Sequence, residues 1–418
     1  MKPIIKILLI AFVLRLVFSF VHWHPDVNNH IDWGIRFWEY GPEKFYKANV
    51  WSFTWPNQPP GTIYMFAIVR KLFEGVFAFF WFLNVKIPAF PSNVMLYFET
   101  NLYPALLKLP SILSDLGIAY LIYRILKEKS EKIATSGALF FLANPVVWYN
   151  STIWGQTDSI ISFFALLSGW LITKRKLVES LVVLALCLYI KISLVIFVPI
   201  ILMFALKQKH NMARWLFGAT CVIAVLILPS LPFANGKNPF IWLYEIYKDK
   251  VLGQQLHVIT ANAFNLWAVV AGIHERPDTT LLGPIPYRLW GNLLFGLSYL
   301  PALYLVFKKQ TTNTLVWALA IVSFSSFMLA TNMHERYIYP LFPYLTIIVM
   351  ANFYLLPLYV VVSIITLLGM YNFWWFPKFQ PIVDVMSRAN RLAPRILGLI
   401  NLGAFVVFYR HFLSNFKR

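Results

Sequence analysis

Apolar runs separated by short, mostly basic breaks occupy almost the whole chain. Judged by the length a helix needs to cross a bilayer, they predict about 12 transmembrane helices. These lie at 4–21, 104–125, 133–149, 159–173, 177–190, 192–206, 215–231, 289–307, 314–330, 337–351, 354–371 and 396–412. The first follows Lys2 and Lys6 as in a signal peptide, but no small-residue cleavage site comes after it, so a retained helix is expected. Arg15 within it is costly in lipid and is expected to face protein or water. Residues 22–103 form one long outer loop. Its part 61–83 is nearly apolar enough to span, yet Arg70, Lys71 and Glu74 sit near its centre. Burying them costs several kcal/mol, which predicts an interfacial or re-entrant helix instead. Residues 256–272 are read as a helix lying in the outer region, because a span there would carry Lys308 and Lys309 to the other side. Within the loop, Val27, Ile31, Gly34/Ile35 and Trp38 recur at helical spacing, with Asp32, Arg36 and Glu39 opposite; a short amphipathic helix should start after Pro25.

Composition agrees with this pattern. Of 418 residues 59% are hydrophobic and only 13% charged, as expected for an all-α integral membrane protein and not for a soluble one. A net charge of +19 would suggest nucleic acid if the chain were soluble. Here the basic residues fall in short loops: Arg124/Lys127/Lys129/Lys132, Lys174/Arg175/Lys176, Lys207/Lys209/Arg214, Lys308/Lys309 and Arg410/Lys417/Arg418. All are placed on one side with Lys2 and Lys6, as the positive-inside rule asks, so membrane lipids and not nucleic acid are the expected partners. The opposite side receives the first loop, the WGQTDS turn, residues 232–288, His334 and residues 373–395. Cys187 and Cys221 lie in apolar runs and read as packing residues, not as a disulfide or zinc ligands.

The chemistry-bearing residues therefore gather on one face. Asp26 lies just beyond the first helix, where it either caps the next helix or serves as a base. Asp32 either pairs with Arg36 or, with His30, contacts a substrate. His24, Asp26, His30 and Asp32 fit no strong zinc spacing, and no metal is expected. In WGQTDS, Trp154, Gln156 and Asp158 are polar or amphipathic residues at the start of a span; Asp158 either caps it or faces a ligand. Lys191, between two apolar runs, either snorkels or holds a lipid phosphate. In MHERYIYP, His334, Glu335 and Arg336 are either an interfacial ion pair or the donors that a phosphate leaving group needs. The intramembrane Asp115 has either a structural partner or a substrate.

Taken in order, several of these stretches look like those of a known family. They are Asp26 with Trp33, QPPG at Gln58, KLPSILSDLG from Lys108, NPVVWYNSTIWGQTDS from Asn144, TANAFNLW from Thr260 and MHERYIYP from Met333. Together they resemble the GT-C superfamily of polyprenyl-phosphate-sugar glycosyltransferases, most nearly prokaryotic relatives of the second mannosyltransferase of the GPI-anchor pathway. The resemblance implies a GT-C fold, with a conserved module over residues 1–231 and a variable one over 232–418. It implies an inverting transfer of a hexose, mannose being its suggestion, from a dolichyl- or undecaprenyl-phosphate donor to a glycan, glycolipid or protein acceptor. No cofactor would be required. The site would face the outside of a prokaryotic cytoplasmic membrane, or the endoplasmic reticulum lumen in a eukaryote. The family's base falls on Asp26, and its phosphate-binding His-Glu-basic motif on His334, Glu335 and Arg336. Two departures, Asn28 where the related glucosyltransferases carry Glu and NQPP from Asn57 in place of DYPP, leave the sugar open. Two other classes remain: a flippase of lipid-linked sugars, which would favour inverted repeats and broken helices, and a metal-dependent transferase using a pyrophosphate carrier, whose activity EDTA would remove.

Overall fold

The computed structural model describes residues 2–417. Among these the chain is helical apart from one short hairpin, Leu281–Leu282 with Ile285–Pro286, and its connections. The helices that build the site are α1 (Pro3–Ser19), α2 (Asp26–Tyr40), α3 (Pro60–Lys86), α4 (Asn93–Leu107), α5 (Leu109–Leu126), α6 (Glu131–Ala143), α7 (Asp158–Thr173) and α8 (Leu177–Ile190). After them come α9 (Val198–Lys207), α10 (Met212–Ile227), α11 (Tyr287–Lys308), α12 (Thr312–Leu329), α13 (Leu341–Ala351), α14 (Leu356–Phe373) and α15 (Gln380–Lys417), the last kinked at Arg388–Arg391.

Six helical stretches among the described residues, not 12, are long and apolar enough to cross a membrane: Asn93–Leu126, Met212–Ala234, Tyr287–Lys308, Thr312–Leu329, Phe353–Phe373 and Gln380–Ser414. The chain is thus an all-α protein of membrane character. The remaining apolar runs form helices that stop short. α7, α8 and α13 have 16, 14 and 11 residues. At 1.5 Å per residue they reach about 24, 21 and 16 Å, against about 30 Å of hydrocarbon. Each shortened end carries polar sequence: Asp158 opens α7, Lys191 follows α8, and His334–Arg336 precede α13. Polar side chains thereby stand at the ends of helices too short to reach across the hydrocarbon. The predicted span 133–149 is likewise broken. Asn144 turns the backbone out of α6, accepts a hydrogen bond from the Val146 amide at 2.9 Å, and is followed by Pro145. A wide π-helical turn, Tyr149–Trp154, comes next.

The predicted interfacial segment 61–83 is one unbroken helix, α3. Its charges are satisfied along its own side: Arg70 and Lys71 both reach Glu74, at 2.9 and 2.7 Å. Residues 256–272 are not a helix; only Leu266–Ala271 is helical, and the part before it is extended and pairs with the turn ahead of α13.

Four apolar clusters result among the described residues, two of them large. The larger joins α1 and α5–α8 with α11–α15, so it crosses the expected boundary at residue 231. α12 lies at its centre, with 83% of its apolar stretch buried, whereas α10 buries 17% and presents Met212, Leu216, Phe217 and Ile223 outward. The other large core belongs to the first loop: Val27, Trp33, Phe37, Phe45 and Phe66 pack with Tyr103, Phe233 and Trp242. Gly34 lets α2 approach α3 there, since a Cβ would strike the Tyr103 hydroxyl and the Phe66 carbonyl. The basic breaks meet at one end of the bundle: Lys174 pairs with Glu128, Arg175 donates to the Gln208 carbonyl at 2.9 Å, and Lys207 lies over Phe307.

Candidate active site

α2 begins at Asp26, but the Asp26 carboxylate does not cap it. It points into a group assembled from four distant segments. Gln156 Nε2 donates to Asp26 Oδ2 at 2.6 Å, and Arg336 Nη2 lies 3.7 Å from the same oxygen. Arg336 Nε is 3.7 Å from Asp158 Oδ2, and its Nη1 donates to Glu335 Oε1 at 2.7 Å. Lys191 Nζ donates to Asp158 Oδ1 at 2.7 Å. Three carboxylates and two cations thus form a chain, Asp26–Arg336–Asp158–Lys191, with Glu335 buried behind Arg336. Within it Asp26 is the open member: 35% of its side chain is exposed, against 12% for Arg336 and 4% for Asp158.

Local sequence explains how the parts meet. Gly155 takes φ +89°, and a Cβ there would sit 2.7 Å from Val27 Cγ2, so this turn needs glycine to bring Gln156 against the start of α2. The His24 amide bonds the Trp154 carbonyl at 3.2 Å. Ser111 Oγ holds the Gln156 carbonyl at 2.6 Å. Lys108, fully buried at the break between α4 and α5, donates to the carbonyls of Ser19 (2.6 Å) and His22. A cation there satisfies the carbonyl end of α1 and fixes the segment that leads to Asp26. Sequence reasoning left Lys108 out of the site; the available signal was a lysine set between apolar runs just before Pro110. The turn bearing Arg336 is braced from both sides. The Asn332 amide donates to the Val258 carbonyl at 3.0 Å and the Ala261 amide to the Met333 carbonyl at 2.9 Å, which pairs 258–262 with 332–334. Beneath it Tyr339 donates to Asp115 at 2.5 Å, as does Ser151, and Arg15 Nε lies 3.6 Å from the same carboxylate. Asp115 is therefore a structural partner that ties α1, α5 and this turn together.

Three candidates do not join this chain of charges, and Asp32 makes the Arg36 pair that was one of its two expected readings. Asp32 receives Arg36 at 3.2 Å and the Ser52 amide at 2.9 Å, closing the loop after α2 and taking no part in the Asp26 group. Six residues of helix separate the two acids by about 120° around the axis. Trp154 is fully buried; its ring stacks on His24 (4.4 Å) and Phe373 (5.9 Å) and lies beneath Arg336 (5.6 Å), so it supports the site and does not line it. His30 packs its ring on Phe66 at 4.2 Å, on the buried face of α2. That face is Val27, His30, Trp33, Gly34 and Phe37, rotated from the predicted one, and Trp38 is exposed. The end of α14 and the residues after it supply an aromatic wall that was not anticipated: Phe373 and Trp374 pack on His24, and Trp374 and Phe376 on His22.

No family of known proteins matches the chain, and neither does any curated protein. Its chemistry rests on the geometry.

Burial opposes charge on Asp26, but the neighbouring His24, then Arg336, outweigh it and hold the carboxyl well below the usual range. His24 Nδ1 lies 3.1 Å from the Asp26 amide nitrogen and 3.4 Å from Oδ1. As a neutral ring it accepts from the amide; with Nδ1 protonated it donates to the carboxylate. Burial keeps Glu335 above its ordinary range despite Arg336. It lowers His30 to about 4 and, with Arg336 and Lys191 adding to the effect, His334 to about 3. Both rings are neutral at pH 7. Unfolding would let them take protons below about 6.5, so stability is fully present above that pH and is lost as pH falls toward 4. For His30 the loss approaches roughly 3 kcal/mol. Melting curves in nanodiscs should show the transition temperature falling across this window, and His30→Phe should flatten the slope. An unchanged slope would mean that His30 is already charged in the fold.

Beside this group lies a cavity of about 430 Å³. Ile161, Leu194, Ile196, Leu252 and Met333 are among its apolar lining, and Asp158, Lys191, Tyr337 and Gln58 among its polar lining. Asp26 does not line it, but is joined to it through Arg336 and Asp158. Among the described residues no three His, Cys, Asp or Glu side chains are grouped to hold a metal ion.

Proposed function

We propose that the protein is an inverting glycosyltransferase that moves a hexose from a polyprenyl-phosphate carrier to an acceptor hydroxyl at the outer face of the membrane. The observation that carries this reading is one arginine, Arg336, shared between a partly exposed carboxylate and the Asp158–Lys191 end of an apolar cavity. The cavity suits an isoprenoid chain, and its charged end suits a phosphate.

In the transfer the acceptor oxygen attacks the anomeric carbon, and its proton passes to Asp26. The bond from that carbon to the phosphate oxygen breaks, and the electron pair stays on phosphate. The carrier phosphate thereby gains one negative charge, which Arg336 and Lys191 stabilise. Phosphate leaves without protonation, so one carboxylate suffices where hydrolases use two. A carboxylate with strongly lowered pKa is a weak base. The incoming phosphate offsets part of this: it competes for Arg336, which after His24 does most to lower Asp26, so donor binding raises the basicity of Asp26.

The breaks at Lys191 and after Asn144 are also what a carrier of lipid-linked sugars would use. That reading gives Asp26 no task and predicts binding without consumption. The test is a panel of radiolabelled polyprenyl-phosphate sugars, offered to the purified protein with lipid and oligosaccharide acceptors, with and without EDTA. One donor, mannosyl by expectation, should be consumed in both conditions. Lys191→Met should raise KM for it about tenfold or more, the loss of one charged hydrogen bond. Donors that bind but are never consumed would overturn the reading.

A further inference from the structure

A second cavity, of about 450 Å³, shares no lining residue with the first and has the opposite character. Asn262, Asn372, Glu275 and Arg391 give it planar polar groups, and Phe373 and Trp375 give it aromatic faces. We propose that it is the binding site for a saccharide of the acceptor, a proposal that rests on the transferase reading.

The placement supports this. The backbone of Asn262, with that of Ala261, bridges His334, in the turn that carries Arg336. Phe373, 44% exposed, packs its ring on His24 and Trp154, the neighbours of Asp26. The apolar cavity thus takes in Asp158 and Lys191 themselves, and the polar one touches the supports of Asp26 and Arg336. The polar groups are preset. Asn372 Nδ2 donates to Asn262 Oδ1 at 2.6 Å, and Asn262 Nδ2 donates to the Gly369 carbonyl at 2.9 Å. Asn262 holds φ +62°, which asparagine tolerates better than most residues. Trp375 meets Tyr371 edge-on at 5.2 Å, which steadies its ring. An aromatic face takes the C–H side of a sugar ring, while amide, carboxylate and guanidinium groups take pairs of its hydroxyls. Such a lining suits a hydrated ring and not an isoprenoid chain.

The test uses the full chain in nanodiscs and saturation-transfer NMR with methyl α-mannopyranoside, methyl α-glucopyranoside and methyl α-galactopyranoside. At least one should receive saturation, and should still do so with undecaprenyl phosphate present. Trp375→Ala should weaken it about tenfold, and Trp375→Phe, which keeps an aromatic face, much less. Melting temperatures check the fold; if Trp375→Ala melts early, Glu275→Gln replaces it and should also weaken binding. No saturation by any of the three, equal binding to the variants, or displacement by undecaprenyl phosphate would overturn the site. Binding as expected without consumption of any polyprenyl-phosphate sugar would leave the saccharide site standing and remove the transferase reading.

Discussion

Asp26→Asn should fold, bind donor and transfer sugar about 10³-fold more slowly, within the range that a positioned base contributes. The substitution keeps shape and keeps an oxygen for Gln156 Nε2, now 2.6 Å from Asp26 Oδ2. It removes the charge that Arg336 faces at 3.7 Å, so donor phosphate loses a competitor and affinity should hold or improve. A base is needed because a hydroxyl gives up a proton as it attacks. Azide carries no such proton. With azide as acceptor, Asp26→Asn should form glycosyl azide at close to the wild-type rate while transfer to hydroxyl acceptors stays slow. This split separates the chemical role from a structural one. Full activity in Asp26→Asn, or azide and hydroxyl acceptors slowed alike, would remove Asp26 as the base.

The residues that meet in this group were legible one at a time. Asp26, Gln156, Asp158, Lys191 and Arg336 each stood out as polar sequence beside an apolar run, and the helical class followed from composition. Helix ends were legible in part: the bounds 159–173 and 177–190 match α7 and α8 to within a residue, but both were counted as full spans. A hydropathy window registers what surrounds a residue, not where the backbone leaves the helix. It passed over Asn144–Pro145 and the turn before α13 and ran helices through both, whereas the break at Lys191 was placed correctly. Those endings bring the charges of separate segments together. The face of α2 was misjudged for a related reason. Periodicity alone gave Val27, Ile31 and Trp38, but α3 packs on one side of the helix and the loop over Ser52 and Thr54 on the other. The stripe is therefore wide, and a buried Asp32 is accommodated within it. The pairing of 258–262 with 332–334 and the aromatic wall at the end of α14 come from contacts between segments far apart in the chain, which no local pattern reports.

Arg336→Gln is expected to cost both stability and donor binding, and the two losses can be separated. The guanidinium meets three carboxylates, of which Glu335 is fully buried and bonded at 2.7 Å. Removing one partner of a buried pair leaves an uncompensated charge and typically costs about 3–5 kcal/mol. Glu335 can escape that cost by taking a proton, because burial already holds its carboxyl above the ordinary range. In the variant its pKa rises further. A carboxyl raised in the fold favours folding in acid, and the benefit is lost as pH rises through the folded value. The gap in melting temperature between wild type and variant should therefore be small near pH 5 and widen toward pH 8. Adding Glu335→Gln removes the unpaired charge, so the double variant should regain most of the melting temperature. It should not regain donor binding, since the phosphate still lacks its fork of donors. Arg336→Lys restores charge at a single point and cannot span Asp26, Asp158 and Glu335 together, so it should fall between the two. A single variant as stable as wild type at pH 8 would mean that Glu335 holds no charge there. A double variant that binds and turns over donor normally would take Arg336 out of the phosphate site.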